Sequence, residues 1–136
     1  MPALKTYDLF ISHAWTYTEV YAKLVDFLNA APFFAWRNYS VPKTDPLTGG
    51  SAAKLTSELD RQIRPVNCVL IIGGMYVSYR DWIQKEIDIA RSYNKPIVGI
   101  RPWGSQMMPQ AVTQAAREIV GWNTASIVDA VRRHSI

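Results

Sequence analysis

Between Ser78 and Tyr93 the chain reads SYRDWIQKEIDIARSY. Projected as a helix at about 100° per residue, Ile89, Trp82, Tyr93, Glu86, Ala90, Ile83 and Ile87 share one arc. Gln84, Lys85, Asp88 and Arg91 fall outside it and already supply the solvated side, so Glu86 is an acid on an apolar face. An ionised carboxylate buried without partners is strongly disfavoured; Glu86 must find donors, shift its pKa upward or line a cleft. Pairing with an arginine or capping a neighbouring loop would be the purely structural outcome. Trp82 lies one turn earlier on the same face, which gives the pair a chemical reading as well. An indole stacks on a nucleobase or a cationic pyridinium ring, and a carboxylate stabilises the positive charge that develops on a ribose as its glycosidic bond breaks. Together they suit a nicotinamide nucleotide, although Trp82 alone would more often be core packing.

The elements that must position these residues follow from periodicity. Thr6 to Ser12 reads as a strand, and Thr18 to Ala30 as a helix with Val20, Tyr21, Leu24, Val25 and Leu28 at helical spacing. Phe33 to Arg37 is a short aromatic strand; Pro42, Pro46, Gly49 and Gly50 then make Asn38 to Gly50 a long loop. Leu55, Leu59 and Ile63 mark a helix stopped by Pro65. Val66 to Ile72 is an unbroken apolar strand, the pattern of one covered on both faces and therefore central. Ser78 to Asp81 has capping-box spacing and opens the Glu86 helix, which runs to about Tyr93. Pro96 to Ile100 is a further buried strand, Gln110 to Arg117 a helix, Glu118 to Trp122 a short edge strand, and Thr124 to Arg133 a final amphipathic helix.

Strands alternating with helices predict one α/β domain over residues 1–136, a doubly wound parallel sheet that binds ligands at the carboxyl ends of its strands. The rule selects four loops: Ser12-His13-Ala14-Trp15, Asn38 to Gly50, Gly73-Gly74-Met75-Tyr76, and Arg101-Pro102-Trp103-Gly104. His13 could position a phosphate or ribose, or simply bond its own turn. Gly73-Gly74 lacks the three-glycine dinucleotide fingerprint and fits ordinary turn chemistry better. Trp103 would cover the cleft or pack under the next helix, while Tyr39 and Asp45 would act only if their loop closes over substrate.

Composition narrows the field. A chain of 136 residues with 49% hydrophobic and 19% charged content can bury one core and is unlike a disordered segment. The single Cys68 excludes an internal disulfide and a cysteine metal site, and fits a reducing cytoplasm. No segment approaches the roughly 20 apolar residues that span a bilayer, so no membrane role is expected. The net charge is +4, but the cations are scattered, and the one tight pair, Arg132-Arg133, closes a helix whose dipole it complements. Nucleic acid is therefore not expected as a partner.

Tyr7 to His13 (YDLFISH) is similar to the first box of TIR domains, and Ser78 to Ile87 (SYRDWIQKEI) to their Ser-x(n)-Trp-x-x-x-Glu helix. WRNYSVP, QIRPVNCVLI, WIQKEIDIA, KPIVGIRPWG and EIVGWNT resemble the ThsB-like TIR family of prokaryotic Thoeris defence proteins. The resemblance implies a flavodoxin-like fold of about five strands with helices on both faces. It also implies NAD as substrate, with no bound cofactor and no metal, since nicotinamide already leaves as a neutral group. In that system a TIR protein converts NAD into an ADP-ribose-derived signal that activates a separate effector against phage. By position the resemblance makes Glu86 the catalytic carboxylate and puts Phe10, Ser12, His13 and Trp15 near the nucleotide, with Trp36, Asn38, Tyr39 and Asp45 bordering the site. Tyr76, Trp82 and Trp103 complete the expected substrate contacts, and self-association into a homo-oligomer is expected. The Arg-Asp-x-x-Pro-Gly-like second box of many animal and plant TIR domains is replaced here by Asn38 to Pro46, which leaves product and assembly mode open. Two other readings compete. One is a TIR-type interaction module without catalysis; the other is a phosphate receiver, which would need an acidic cluster where this chain has Ser12-His13.

Overall fold

A computed structural model of the chain describes residues 6–12, 19–39, 52–72, 76–101 and 110–136, and within them the side chains other than those of 19–21, 52–56, 58 and 76–82. Strands and helices alternate throughout: β1 (Thr6–Ile11), α1 (Glu19–Ala30), β2 (Ala35–Asn38), α2 (Ala52–Ile63), β3 (Cys68–Ile72), α3 (Tyr76–Ser92), β4 (Ile97–Ile100), α4 (Gln110–Ala115), β5 (Glu118–Val120) and α5 (Thr124–His134). The five strands form one parallel sheet in the order β2-β1-β3-β4-β5. Helix α1 packs beside α5, while α2, α3 and α4 pack in series, so both faces of the sheet are covered. This is the flavodoxin-like arrangement, and strand order reverses between β1 and β3.

Burial explains the order. All five residues of β3 and all four of β4 are buried, as strands between two helical layers must be. Edge strand β2 is only partly buried, and β5 at the other edge buries only Val120. The core runs through Leu9, Phe10 and Ile11 of β1, the whole of β3, Ile83, Ile87 and Ala90 of α3, and Ile127 and Val131 of α5. Cys68 lies within it, and burial pushes its thiol up to about 12.

Several boundaries differ from those expected, each for a local reason. Strand β2 begins at Ala35 rather than Phe33, because Phe33 adopts φ 57 and breaks the extended run. The Pro32 and Phe33 carbonyls accept from Arg132 Nη2 at 3.4 and 3.0 Å, and Phe34 stacks on Tyr7 with centroids 5.2 Å apart. Strand β3 begins at Cys68: Val66 N–H closes a turn onto Ile63 O at 3.1 Å, and Asn67 bridges to Asp8. Helix α3 is already formed at Tyr76, so the Ser78 box is not its start. It ends with Asn94 at φ 55, where Lys95 N–H reaches Ala90 O at 2.8 Å and Asn94 N–H reaches Arg91 O at 3.1 Å, a Schellman closure before Pro96. Helix α4 stops at Ala115 because Arg117 N–H is drawn onto Ile97 O at 2.7 Å, and β5 ends at Val120, short of Trp122.

Candidate active site

The β1–β3 ladder runs past the end of β1: Ile11 pairs with Leu70, and Ser12 N–H then donates to Leu70 O at 2.9 Å. Ser12 therefore stands at the carboxyl edge of the sheet where the strand order reverses, the place at which folds of this kind open a crevice. Helix α3 follows β3 and lies over this edge. Its apolar stripe is as the periodicity implies: Ile83, Ile87, Ile89 and Ala90 are buried, while Gln84, Asp88 and Arg91 are exposed. Glu86 falls within the stripe and is 0% exposed.

What meets Glu86 there is a hydroxyl. Ser12 Oγ donates to Glu86 Oε1 at 2.6 Å across 74 residues of sequence, and both residues are completely buried. Ser12 and Glu86 are the two buried polar or charged side chains among the described residues. The site thus carries a buried, oriented carboxyl group at the sheet edge, and such a group, when ionised, can stabilise a cation developing in a ligand held there.

The far end of α3 is fastened separately. Tyr93 Oη donates to Asp60 Oδ1 of α2 at 2.7 Å, and Arg64 Nη2 donates to Asp60 Oδ2 at 2.8 Å. The Tyr93 hydrogen bond, then that of Arg64, holds the Asp60 carboxyl below its usual value; the bond to Asp60 raises the Tyr93 phenol.

The other expected site residues divide by position. Phe10 is completely buried and, two residues before Ser12, shares its face of the sheet. Asn38 and Tyr39 stand at the carboxyl end of β2, where Asn38 pairs with Leu9 and Tyr39 N–H donates to Leu9 O at 2.9 Å. Trp36 is not brought to Ser12 and Glu86. It is level with Tyr7 near the start of β1, and its Nε1 donates to Asn29 Oδ1 of α1 at 2.9 Å. Trp82 lies one helical turn before Glu86 on α3 and Tyr76 is the first residue of that helix; their side chains are outside the described set. His13, Trp15, Asp45 and Trp103 lie outside the described residues.

Sequence reasoning missed the Ser12–Glu86 contact. The one available signal is a hydroxyl ending the apolar run LFI, which the resemblance to TIR domains places near the nucleotide. A groove of about 720 Å³ lined by Ala31, Pro32, Thr124 and Arg132, among others, lies on the α1–α5 side and does not contain Glu86. Among the described residues no helix is long and apolar enough to cross a membrane, and no group of three or more His, Cys, Asp or Glu could hold a metal ion. A family model described as Thoeris protein ThsB, TIR-like domain, matches residues 10–107, a span running from β1 through α3 and β4. No curated protein matches the chain.

Proposed function

The chain belongs to the Thoeris ThsB TIR-like domain family, and from that premise we propose that it cleaves NAD at the nicotinamide–ribose bond with Glu86 as the catalytic carboxylate. The observation that carries the reading is the completely buried Glu86, held by a hydroxyl at the point where strand order reverses. A carboxylate kept there for structure alone would be a poor choice, since an apolar side chain would fill the same place without desolvating a charge.

In the proposed reaction the glycosidic C–N bond breaks, and nicotinamide departs with the bonding pair as a neutral molecule. The ribosyl group passes through an oxocarbenium-like state whose positive charge faces Glu86. Water then attacks the anomeric carbon and loses a proton to solvent, giving ADP-ribose. Alternatively, an internal hydroxyl, losing its proton, or a ring nitrogen attacks to give a cyclic product, or a second small molecule attacks to give a conjugated one. Trp82, one turn earlier on α3, supplies the stacking surface for the pyridinium. Phe10, His13, Trp15, Asn38, Tyr39, Asp45, Tyr76 and Trp103 remain the candidate substrate contacts around it, and Trp36, on the geometry above, does not.

In this reading the product is a diffusible ADP-ribose-derived signal, made in the cytoplasm and read by a separate effector, and the protein works as a homo-oligomer. The test is incubation of concentrated purified protein with NAD, following nicotinamide release and product mass. Glu86→Gln is expected to lower turnover by about 100-fold or more, the scale of losing one electrostatic stabiliser of a transition state, with the fold intact by circular dichroism. A wild-type protein that self-associates but releases no nicotinamide at any concentration would leave the non-catalytic interaction module in its place.

A further inference from the structure

We propose that Ser12 is the positioning residue of this site, fixing the orientation of Glu86 rather than contacting substrate. A serine hydroxyl has one O–H to donate, and that of Ser12 is committed to Glu86 Oε1 at 2.6 Å. Its backbone N–H is committed as well, to Leu70 O at 2.9 Å. Both donors that could have cradled a phosphate or ribose are thus used within the protein. The anchoring is also directional. Ser12 continues the β1–β3 ladder, whose strands form the buried centre of the sheet, whereas Glu86 projects from mid-helix on a long side chain with several rotatable bonds. The hydroxyl transfers the rigidity of the sheet to that carboxylate, and such preorganisation separates a charge that stabilises a developing cation from one that must first reorient.

The inference rests on the NAD-cleaving reading for its kinetic consequences, while its structural content can be read without turnover. In protein carrying isotope-labelled glutamate, the Glu86 carboxyl resonance is identified by its loss in Glu86→Gln. That resonance is expected to be displaced in Ser12→Ala, restored in Ser12→Thr, and intermediate in Ser12→Cys, which keeps the shape but offers a weak donor. In the NAD assay Ser12→Ala should lower kcat about 10- to 100-fold, the scale of one hydrogen bond to a charged group. Its KM should stay within about threefold, since no substrate contact is removed, and Ser12→Thr should recover most of kcat. An unmoved Glu86 resonance in Ser12→Ala, or a raised KM with kcat unchanged, overturns the proposal. A wild-type protein that releases no nicotinamide while the resonance moves removes the NAD reading and leaves Ser12 as the anchor of Glu86.

Discussion

At the scale of single residues, the informative pair is Ser12 and Glu86 because each is a polar group where an apolar one would pack more simply. Removing only the hydroxyl leaves a buried carboxylate short of a donor, and Ser12→Ala is expected to lower stability by about 1–3 kcal/mol. Replacing both members with apolar groups of similar shape is a different experiment. Ser12→Ala combined with Glu86→Met should be as stable as the parent or more so, with no NAD cleavage, as measured by urea unfolding beside the nicotinamide assay. A double variant less stable than Ser12→Ala alone would mean that the pair is structural. Half of this was legible in the sequence: helical periodicity is a local property, and it singled out Glu86 among the charges of its segment. Its partner was not, because the contact joins the end of β1 to the middle of α3 across 74 residues, and spacing rules carry no information at that range.

At the scale of elements, the chain fixes the ends of its helices with charged clusters on the surface. Arg133 of α5 grips Glu118 of β5 with Nη1 at 2.6 Å and Nη2 at 2.9 Å, reaches Asp129 at 2.7 Å, and His134 Nε2 stands 2.8 Å from the same Glu118. Arg133, then His134, holds the Glu118 carboxyl down at about 2, from an ordinary 4.5. A carboxyl depressed by folding stabilises the native state above its unfolded value, and that contribution drains away as pH falls from 4.5 towards 2. Urea midpoints should therefore drop across this window in the parent and drop less steeply in Glu118→Gln; parallel curves would show that the clamp contributes nothing. Elements themselves were well anticipated, since ten segments of the expected type appear in the expected order. Their ends were not, because Phe33, Asn67 and Arg117 are bonded by distant groups that no local pattern reveals. Trp36 illustrates the same gap: its segment was recognised, but only the register with Tyr7 and the bond to Asn29 show that it is not brought to Ser12 and Glu86.

At the scale of the whole molecule, the alternation of elements and the unbroken apolarity of VNCVLII were enough for a parallel sheet with a central strand. The order β2-β1-β3-β4-β5 was not contained in periodicity, because it is set by pairing between strands distant in sequence. Cys68 offers a probe at this scale. Its thiol is completely buried at the start of the central strand, so alkylation should be negligible in the native state and should follow the opening of the sheet rather than reagent strength. Rapid labelling under native conditions would contradict a β3 enclosed on both faces. The reversal of strand order has one more implication. Ser12 and Glu86 sit in separate βα units, brought to 2.6 Å only when β1 and β3 lie side by side. A nascent or half-denatured chain in which those strands are apart holds the acid without its anchor, so the contact itself reports that two separate βα units have come together.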